Sequence, residues 1–455
     1  MSRKISPLQR FTIFFLMIFD LTACQSPSTR NPASDEASDE PKPIATSAAE
    51  RLNFIKDAEV WFPENAQDIG KKNLRLGQPS EYAVDPMYAA DDKYLTCTYK
   101  EPDLSDPPGG KTPKFGCTFD FNGESKSLKV KYDPLFHPLN GKNGKFNFEV
   151  YGEVLSTRIL WALGFAADRS YPVRVKCLGC PLEPWTYIQG KLIEKEKNLE
   201  TNTARQNQFD GRDRLIGFVR DDMGLPNNSQ GIANRDLYFE KGKNNVIFHA
   251  AAIEDKYAGP EIKLKYETMY PEGWSWDELL SNYNTPDQLL HRQALSIVAA
   301  FLNHMDSKPD QQRLSCRSQE DIQPDGRCTA PVLLVQDPGS SFGYGFAPLE
   351  GYFRLDKGNL KAWLGLSIWK DRKTCTLKVN GAPNATLKEV SVTEAARAFT
   401  ANLMRQLTMS QIEQLFLVSQ IEKLRQRDSA SPTAKEWAKA FMEKMNREVL
   451  NARCG

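Results

Sequence analysis

The chain has 455 residues, 40% hydrophobic and 10% aromatic, which is enough for the cores of roughly two or three domains. Its formal net charge of +1 at pH 7 excludes the strong positive field of a nucleic-acid-binding protein and an electrostatic attachment to acidic lipid. We therefore expect a mostly globular protein without a nucleic-acid partner.

The first 23 residues have the parts of an export signal. Arg3, Lys4 and Arg10 supply positive charge, and the apolar run from Phe11 to Phe19 is too short for a comfortable membrane span. The prediction is a signal peptide over residues 1–23.

A four-residue motif, Leu21-Thr22-Ala23-Cys24, follows the apolar run and resembles the lipobox of bacterial lipoproteins. This resemblance implies cleavage before Cys24, acylation of Cys24, and a membrane partner bound through the N-terminal lipid. Gln25 in place of Asp implies sorting to the outer membrane of the cell envelope. Residues 24–50 are rich in Ser, Pro, Ala and acidic residues, which predicts a disordered tether. The alternative is an ordinary secretory signal with a chance cysteine.

Eight cysteines remain beside Cys24, an even number that suits a disulfide framework in an oxidising compartment. The sequence does not determine their connectivity, but local spacing favours Cys97–Cys117, Cys177–Cys180 and Cys316–Cys328, which leaves Cys375 to pair with Cys454. Zinc binding at Cys177 and Cys180 is the alternative. It needs a second pair of ligands, and none of the four histidines lies near these cysteines.

Strand signals cluster in the first third of the chain. The pattern predicts strands over residues 94–99, 115–121 and 127–132, with a hairpin turn at Asn122-Gly123. A loop containing Gly109 and Gly110 separates the first two strands.

A helix and further strands follow. Apolar residues at helical spacing predict a helix over 148–164, and strands are predicted over 169–176, 185–192 and 246–254. The polar stretch at about 194–245 has the composition of an insertion.

The second half of the chain has mainly helical signals. Thr285-Pro286 begins an apolar-faced helix that continues to His304, and three more helices are predicted over 391–407, 410–424 and 433–450. This order of elements resembles the protein-kinase-like fold, an α+β bilobal architecture. The resemblance implies a small antiparallel β-sheet N-lobe with one helix over 51–255, and a mainly helical C-lobe over 256–455.

The segment His304-Met305-Asp306-Ser307-Lys308-Pro309-Asp310-Gln311 resembles the kinase catalytic loop, His-Arg-Asp-Leu-Lys-Pro-Glu-Asn. By that resemblance Asp306 accepts or orients the proton of an acceptor hydroxyl, and Lys308 lies near the transferred phosphate. Gln311 occupies the position of the metal-binding Asn. We expect His304 to be a buried residue that braces the loop.

The segment Asp337-Pro338-Gly339 resembles the kinase Asp-Phe-Gly motif, which implies that Asp337 is a ligand of Mg²⁺. The resemblance also implies a nucleotide-binding lysine and glutamate. Lys131 and Glu153 are the candidates, with Lys129 and Glu149 as their rivals. Gly109 and Gly110 either cover the phosphates or form a plain surface turn.

Three functional hypotheses follow. The first is an envelope-anchored atypical kinase that uses ATP and Mg²⁺ or Mn²⁺ to phosphorylate a protein, lipid or glycan hydroxyl. The second is a catalytically inactive kinase-like lipoprotein that acts as a binding or scaffold module for a protein partner. The third is an exported α+β domain of unrelated fold.

Overall fold

The computed structural model describes most of the chain after residue 42. The described residues are 43–79, 94–103, 112–134, 147–185, 187–188, 244–264, 273–349, 352–427 and 430–455. The signal peptide, Cys24, Gly109 and Gly110 lie outside them, as does nearly all of the predicted insertion. The last residues of the predicted tether form a strand, β1 (Ile44–Thr46), and the start of a helix, α1 (Ala48–Asp57).

Five strands close into a barrel. They are β2 (Leu95–Lys100), β3 (Lys114–Phe121), β4 (Glu124–Tyr132), β5 (Arg169–Cys180) and β6 (Asn244–Asp255). Around the barrel the order is β2, β3, β4, β6, β5, and all neighbours are antiparallel except β5 and β2, which are parallel. The β3–β4 hairpin turns at Asn122 and Gly123, whose positive φ angles of 58° and 92° suit a two-residue hairpin turn.

Alternate residues of each strand point into the barrel. Side chains from all five strands form one buried apolar cluster there, together with Trp185, Tyr187 and Ile188. Because Val130 of β4 belongs to this cluster, its neighbours Lys129 and Lys131 point to the outer face.

Helix α2 (Glu149–Ala162) packs against that outer face. Its Val150 and Val154 form a small apolar cluster with Ala252 of β6. All residues of α2 except Glu149 and Trp161 are buried, because the opposite side of the helix joins a second, larger core.

The larger core is built by the other helices and by short paired strands. The further described helices are α3 (Trp276–Ser281), α4 (Pro286–Leu302), α5 (Leu360–Gly365), α6 (Glu394–Met404), α7 (Met409–Val418), α8 (Leu424–Arg427) and α9 (Ala434–Met445). The strands are β7 (Ile262–Leu264), β8 (Gln312–Cys316), β9 (Pro331–Val335), β10 (Gly345–Leu349), β11 (Tyr352–Asp356), β12 (Trp369–Asp371), β13 (Thr376–Lys378) and β14 (Glu389–Ser391). Strand β8 pairs with β9, β10 with β11, and β13 with both β12 and β14. No helix among the described residues is long and apolar enough to cross a membrane.

Helix α4 positions the loop that begins at His304. The Thr285 hydroxyl accepts a hydrogen bond from the Gln288 backbone N–H at 3.1 Å, and Pro286 fills the first turn. Asn303 ends the helix in the left-handed conformation, with a φ of 54°. The helix therefore ends directly before His304.

The first described residues pack on the helical part of the protein. Strand β1 pairs in parallel with β7, and Arg51 of α1 forms an ion pair with Glu278 of α3 at 2.8 Å. Ile55 of α1 belongs to the same core cluster as Cys454 near the C-terminus.

The predicted protein-kinase-like bilobal fold is wrong. In place of a small antiparallel sheet, the structure has a closed barrel with mixed strand directions, together with several small sheets. Sequence signals could not show this closure, because the parallel β2–β5 pair joins strands that are far apart along the chain.

Eight cysteines form four disulfides: Cys97–Cys117, Cys177–Cys180, Cys316–Cys328 and Cys375–Cys454. The first three are the pairs that local spacing favoured, and the fourth joins the two cysteines that remained. Within the described part of the chain, one three-residue cluster has metal-ligand spacing, and it consists of Cys97, Cys117 and Cys177. All three are disulfide-bonded, so they offer no thiolate to zinc.

Candidate functional site

The buried ammonium of Lys131 is the centre of the candidate site. Its Nζ lies 2.5 Å from Oε2 of Glu153, and the residues are 2% and 1% exposed. Two further carboxylates approach the same Nζ, Asp337 at 3.3 Å and Glu254 at 3.1 Å. Three separate elements therefore direct carboxylates at one lysine.

The protonation of this cluster follows from its charges. Burial alone lowers the pKa of Lys131, but Asp337, Glu153 and Glu254 together raise it well above its usual value, so the ammonium stays charged. Burial raises the pKa of Asp337, but the lysines around it, Lys131 first, lower it by more, so the pKa falls below its usual value and this carboxyl is ionised. Glu153 is buried beside two other carboxyls, and its pKa is raised despite Lys131.

Glu254 is a site residue that the sequence reasoning missed. The β4–β6 register places it opposite Lys129, and the Lys129 Nζ lies 2.5 Å from its Oε1. Glu254 therefore bridges Lys129 and Lys131. The available signal was an acidic residue at the end of the apolar strand β6, but its partner strand could not be predicted.

The rivals to Lys131 and Glu153 have other partners. Lys129 binds Glu254 and is a third exposed. Glu149, one helical turn before Glu153, accepts hydrogen bonds from Lys357 and from the Ser340 hydroxyl, the latter at 2.9 Å. The structure thus favours Lys131 and Glu153 as the central pair.

Two loops, 305–311 and 336–340, lie beside this pair, and backbone hydrogen bonds join them at both ends. The Met305 backbone N–H donates to the Ser340 carbonyl at 2.9 Å, and the Gln336 N–H donates to the Gln311 carbonyl at 3.2 Å. These bonds fix the segment that contains Asp306 against the segment that contains Asp337, so both predicted acidic residues belong to one site with Lys131.

Asp306 is partly accessible, with 23% of its side chain exposed. Burial, together with Glu149 and Asp337, raises the pKa of Asp306 against the opposing charge of Lys308. The Lys308 Nζ lies 3.7 Å from Asp306 and 3.4 Å from Asp310. A carboxylate with a raised pKa that solvent can reach suits proton transfer.

Gln311 ends a short 3₁₀ turn, Pro309–Gln311, directly before β8. Its carbonyl accepts hydrogen bonds from the backbone N–H groups of Gln336 and Asp337, the latter at 3.5 Å. The residue is therefore placed beside Asp337, and its side chain is half-buried.

His304 is buried, as we expected, with 1% of its surface exposed. Its Nε2 lies 3.2 Å from the side-chain nitrogen of Gln312. Burial lowers the pKa of His304 to about 4, although Asp337 opposes this effect. The imidazole is therefore neutral at pH 7 and braces the loop.

The structure brings together Lys131, Glu153, Asp306, Lys308, Gln311 and Asp337 from the predicted set and adds Glu254. Gly109, Gly110 and Cys24 lie outside the described residues, so their predicted roles stay predictions. No protein-family model, curated protein or solved structure matches this chain.

Proposed function

We propose that the chain is a phosphotransferase that moves a phosphoryl group from ATP to a hydroxyl of a protein, lipid or glycan. One observation carries the proposal. The buried Lys131 is fixed between Glu153 and Asp337, and a second accessible carboxylate, Asp306, lies on the loop bonded to that of Asp337. Phosphoryl transfer depends mainly on such positioning of charges.

Each residue has a role that its surroundings support. Lys131 binds the donor phosphates, since its ammonium is fixed and stays charged. Glu153 and Glu254 hold Lys131 in place. Asp306 orients the acceptor hydroxyl and takes its proton, while Lys308 offsets charge beside it.

The residues fit a magnesium ion that is shared with the donor. Mg²⁺ is usually held by one or two carboxylates together with phosphate oxygens. Asp337, with a quarter of its side chain exposed, and Asp306 are the carboxylates that would hold it. Gln311, whose backbone carbonyl is bonded to the Asp337 N–H, is the residue that would add an amide oxygen. Burial first, and then repulsion from Glu149 and Asp337, raises the pKa of Asp306, and a bound cation would offset that repulsion. When bound, Mg²⁺ neutralises charge on the transferring phosphoryl group.

We also propose that the enzyme is exported and attached to the bacterial envelope through acylated Cys24. The lipobox resemblance and the Gln25 position support an outer-membrane location. The four disulfides support an oxidising compartment, because such bonds are rare in reducing cytosol.

The test is transfer of labelled phosphate from ATP with Mg²⁺ or Mn²⁺ by the full chain. Asp306→Asn should lower the rate by roughly 10²–10⁴-fold, because it removes the proton acceptor. It should change the free energy of unfolding by less than about 1 kcal/mol, since the one described ion pair of Asp306 is partly exposed.

Asp310→Asn is the matched control. It removes a carboxylate from the same loop, also beside Lys308, but this carboxylate is mostly exposed. It should keep the wild-type rate. A folded wild-type chain that labels neither itself nor any hydroxyl acceptor contradicts the proposal.

The second candidate is a nucleotide-binding module without transfer. It is favoured by Glu254, whose carboxylate lies 3.1 Å from the Lys131 Nζ and competes with a donor phosphate for that ammonium. ATP and Mg²⁺ that raise the melting temperature without any transfer support this candidate, and the absence of a shift contradicts both candidates.

A further inference from the structure

A cavity of about 260 Å³ lies beside Lys131 on the barrel, and nothing in the proposed mechanism uses it. Three lysines line it, Lys100, Lys114 and Lys129. We propose that this cavity binds an oligophosphate chain. The inference rests on the proposed function, because it takes the bound oligophosphate to be part of the phosphoryl donor.

Strand register explains why the lysines lie together. Lys100 of β2 pairs with Gly116 of β3, and Gly116 pairs with Lys129 of β4, so the three form one row across the outer face. Lys114 of β3 pairs directly with Lys131 in the next row. The lysines of the cavity and the lysine of the candidate site are therefore neighbours on one surface.

The cavity has a buried lysine in its wall, whereas its acidic residues are exposed. Lys114 is 8% exposed, and burial followed by the repulsion of Lys129 and Lys131 lowers its pKa to about 8. The acidic residues of the lining, Glu101 and Asp103, are exposed, so solvent screens their charge. Because Glu254 pairs with Lys129, the positive charge that a phosphate would meet inside the cavity comes mainly from Lys100 and Lys114. The phosphate would also offset the repulsion that Lys129 and Lys131 exert on Lys114.

The size of the cavity limits what it holds. Pockets that enclose a drug-sized ligand are usually about 300–1,000 Å³, and this one is smaller. It suits a phosphate chain and leaves the rest of a nucleotide outside. Two kinds of ligand contain such a phosphate chain, a nucleoside triphosphate and an inorganic oligophosphate.

Gly116 keeps the middle of the lysine row open. A Cβ built there would come no closer than 3.4 Å to any atom, and that nearest atom is the Cβ of Lys100. A larger side chain at this position is therefore accommodated by the strand and occupies cavity space. Valine is well suited, because β-branched residues are favoured in strands.

The test measures binding of tripolyphosphate, ATP and adenosine to the full chain by titration calorimetry. Tripolyphosphate and ATP should bind the wild type, and adenosine should bind far more weakly. Gly116→Val should weaken tripolyphosphate binding at least about tenfold, and Lys100→Gln should weaken it by several-fold. Tighter binding of ATP than of tripolyphosphate would identify the nucleotide as the source, whereas equal binding would indicate that either source is taken.

Thr118→Val is the control, because it places the same side chain two residues along β3 on the same face, outside the cavity lining. It removes one hydroxyl contact, with Ser127, and adds no bulk to the cavity. It should leave binding unchanged. Wild-type affinity for tripolyphosphate in Gly116→Val, or binding of adenosine without tripolyphosphate, overturns the inference.

Binding and transfer separate the two proposals. Asp310→Asn should bind tripolyphosphate like the wild type, since Asp310 neither lines the cavity nor belongs to the proposed Mg²⁺ site. Cavity binding without any phosphate transfer contradicts the proposed function and leaves the cavity assignment supported. Normal transfer with unaltered tripolyphosphate binding in Gly116→Val contradicts only the cavity assignment.

Discussion

Lys131 shows how a single residue depends on partners from distant parts of the chain. Its ammonium contacts Glu153, Glu254 and Asp337, from α2, β6 and the loop after β9. A buried ion pair adds little net stability, yet removing one partner costs about 3–5 kcal/mol because a buried charge is left behind. The role of these ion pairs is therefore to position Lys131 rather than to stabilise the fold.

The neutral, buried His304 predicts a specific dependence of stability on pH. Its pKa is lowered from 6.5 to about 4, so between these values the unfolded chain takes up a proton that the folded chain does not. Stability from this group is complete above pH 6.5 and falls by about 3 kcal/mol as the pH drops to 4.

The variant His304→Gln keeps a polar group near Gln312 and does not titrate in this range. Its free energy of unfolding should fall less steeply than that of the wild type between pH 6.5 and 4, as measured by urea unfolding at several pH values. Identical slopes for both proteins would show that the imidazole is not held neutral.

At the scale of elements, helix α2 and the loop after β9 approach each other closely at two glycines. A Cβ on Gly152 would lie 2.4 Å from the Gly339 carbonyl oxygen, which is a backbone atom. Gly152→Ala gains up to about 1 kcal/mol in helix propensity but forces this contact apart. We expect a net loss of stability of about 1–3 kcal/mol and a lower transfer rate, because the displaced loop carries Asp337.

Gly365→Ala provides the matched comparison for this prediction. Gly365 ends the short helix α5, and a Cβ there would meet no atom within 4 Å. Denaturant unfolding should show unchanged or slightly higher stability for Gly365→Ala, with the wild-type transfer rate. If Gly152→Ala were as stable as Gly365→Ala, the close approach of Gly152 to the Gly339 carbonyl would not be required.

Local signals predicted many individual elements, although the strand predicted over 185–192 is helical at its described residues, Trp185, Tyr187 and Ile188. The Asn122-Gly123 turn and the alternating residues around it indicated the β3–β4 hairpin, and Thr285-Pro286 indicated the start of α4. These features depend on neighbouring residues, so a sequence contains them. Glu254 could not be found in this way, because its role depends on the β4–β6 pairing across more than 100 residues.

At the scale of the whole molecule, the candidate site was easier to predict than the fold. Lys131, Glu153, Asp306 and Asp337 were identified by short motifs and by the order of elements, and the structure gathers them. The closure of the barrel and the packing of β1 on β7 depend on contacts between remote segments. Such contacts have no local signature, so a bilobal arrangement was predicted wrongly.

The disulfides give a prediction for the stability of the whole protein. Cys375–Cys454 joins residues 79 apart in sequence, whereas Cys316–Cys328 joins residues 12 apart. Constraining the unfolded chain contributes about 4.5 kcal/mol for the longer loop and about 3 kcal/mol for the shorter one.

Replacing both cysteines of a pair by alanine should therefore destabilise the Cys375–Cys454 variant more than the Cys316–Cys328 variant, by about 1.5 kcal/mol. The comparison is matched because all four cysteines are buried, so the cost of losing each sulfur is similar. Urea unfolding of both double variants under oxidising conditions measures the difference. Equal losses, or a larger loss for the short loop, would show that native contacts around the disulfides outweigh the constraint on the unfolded chain.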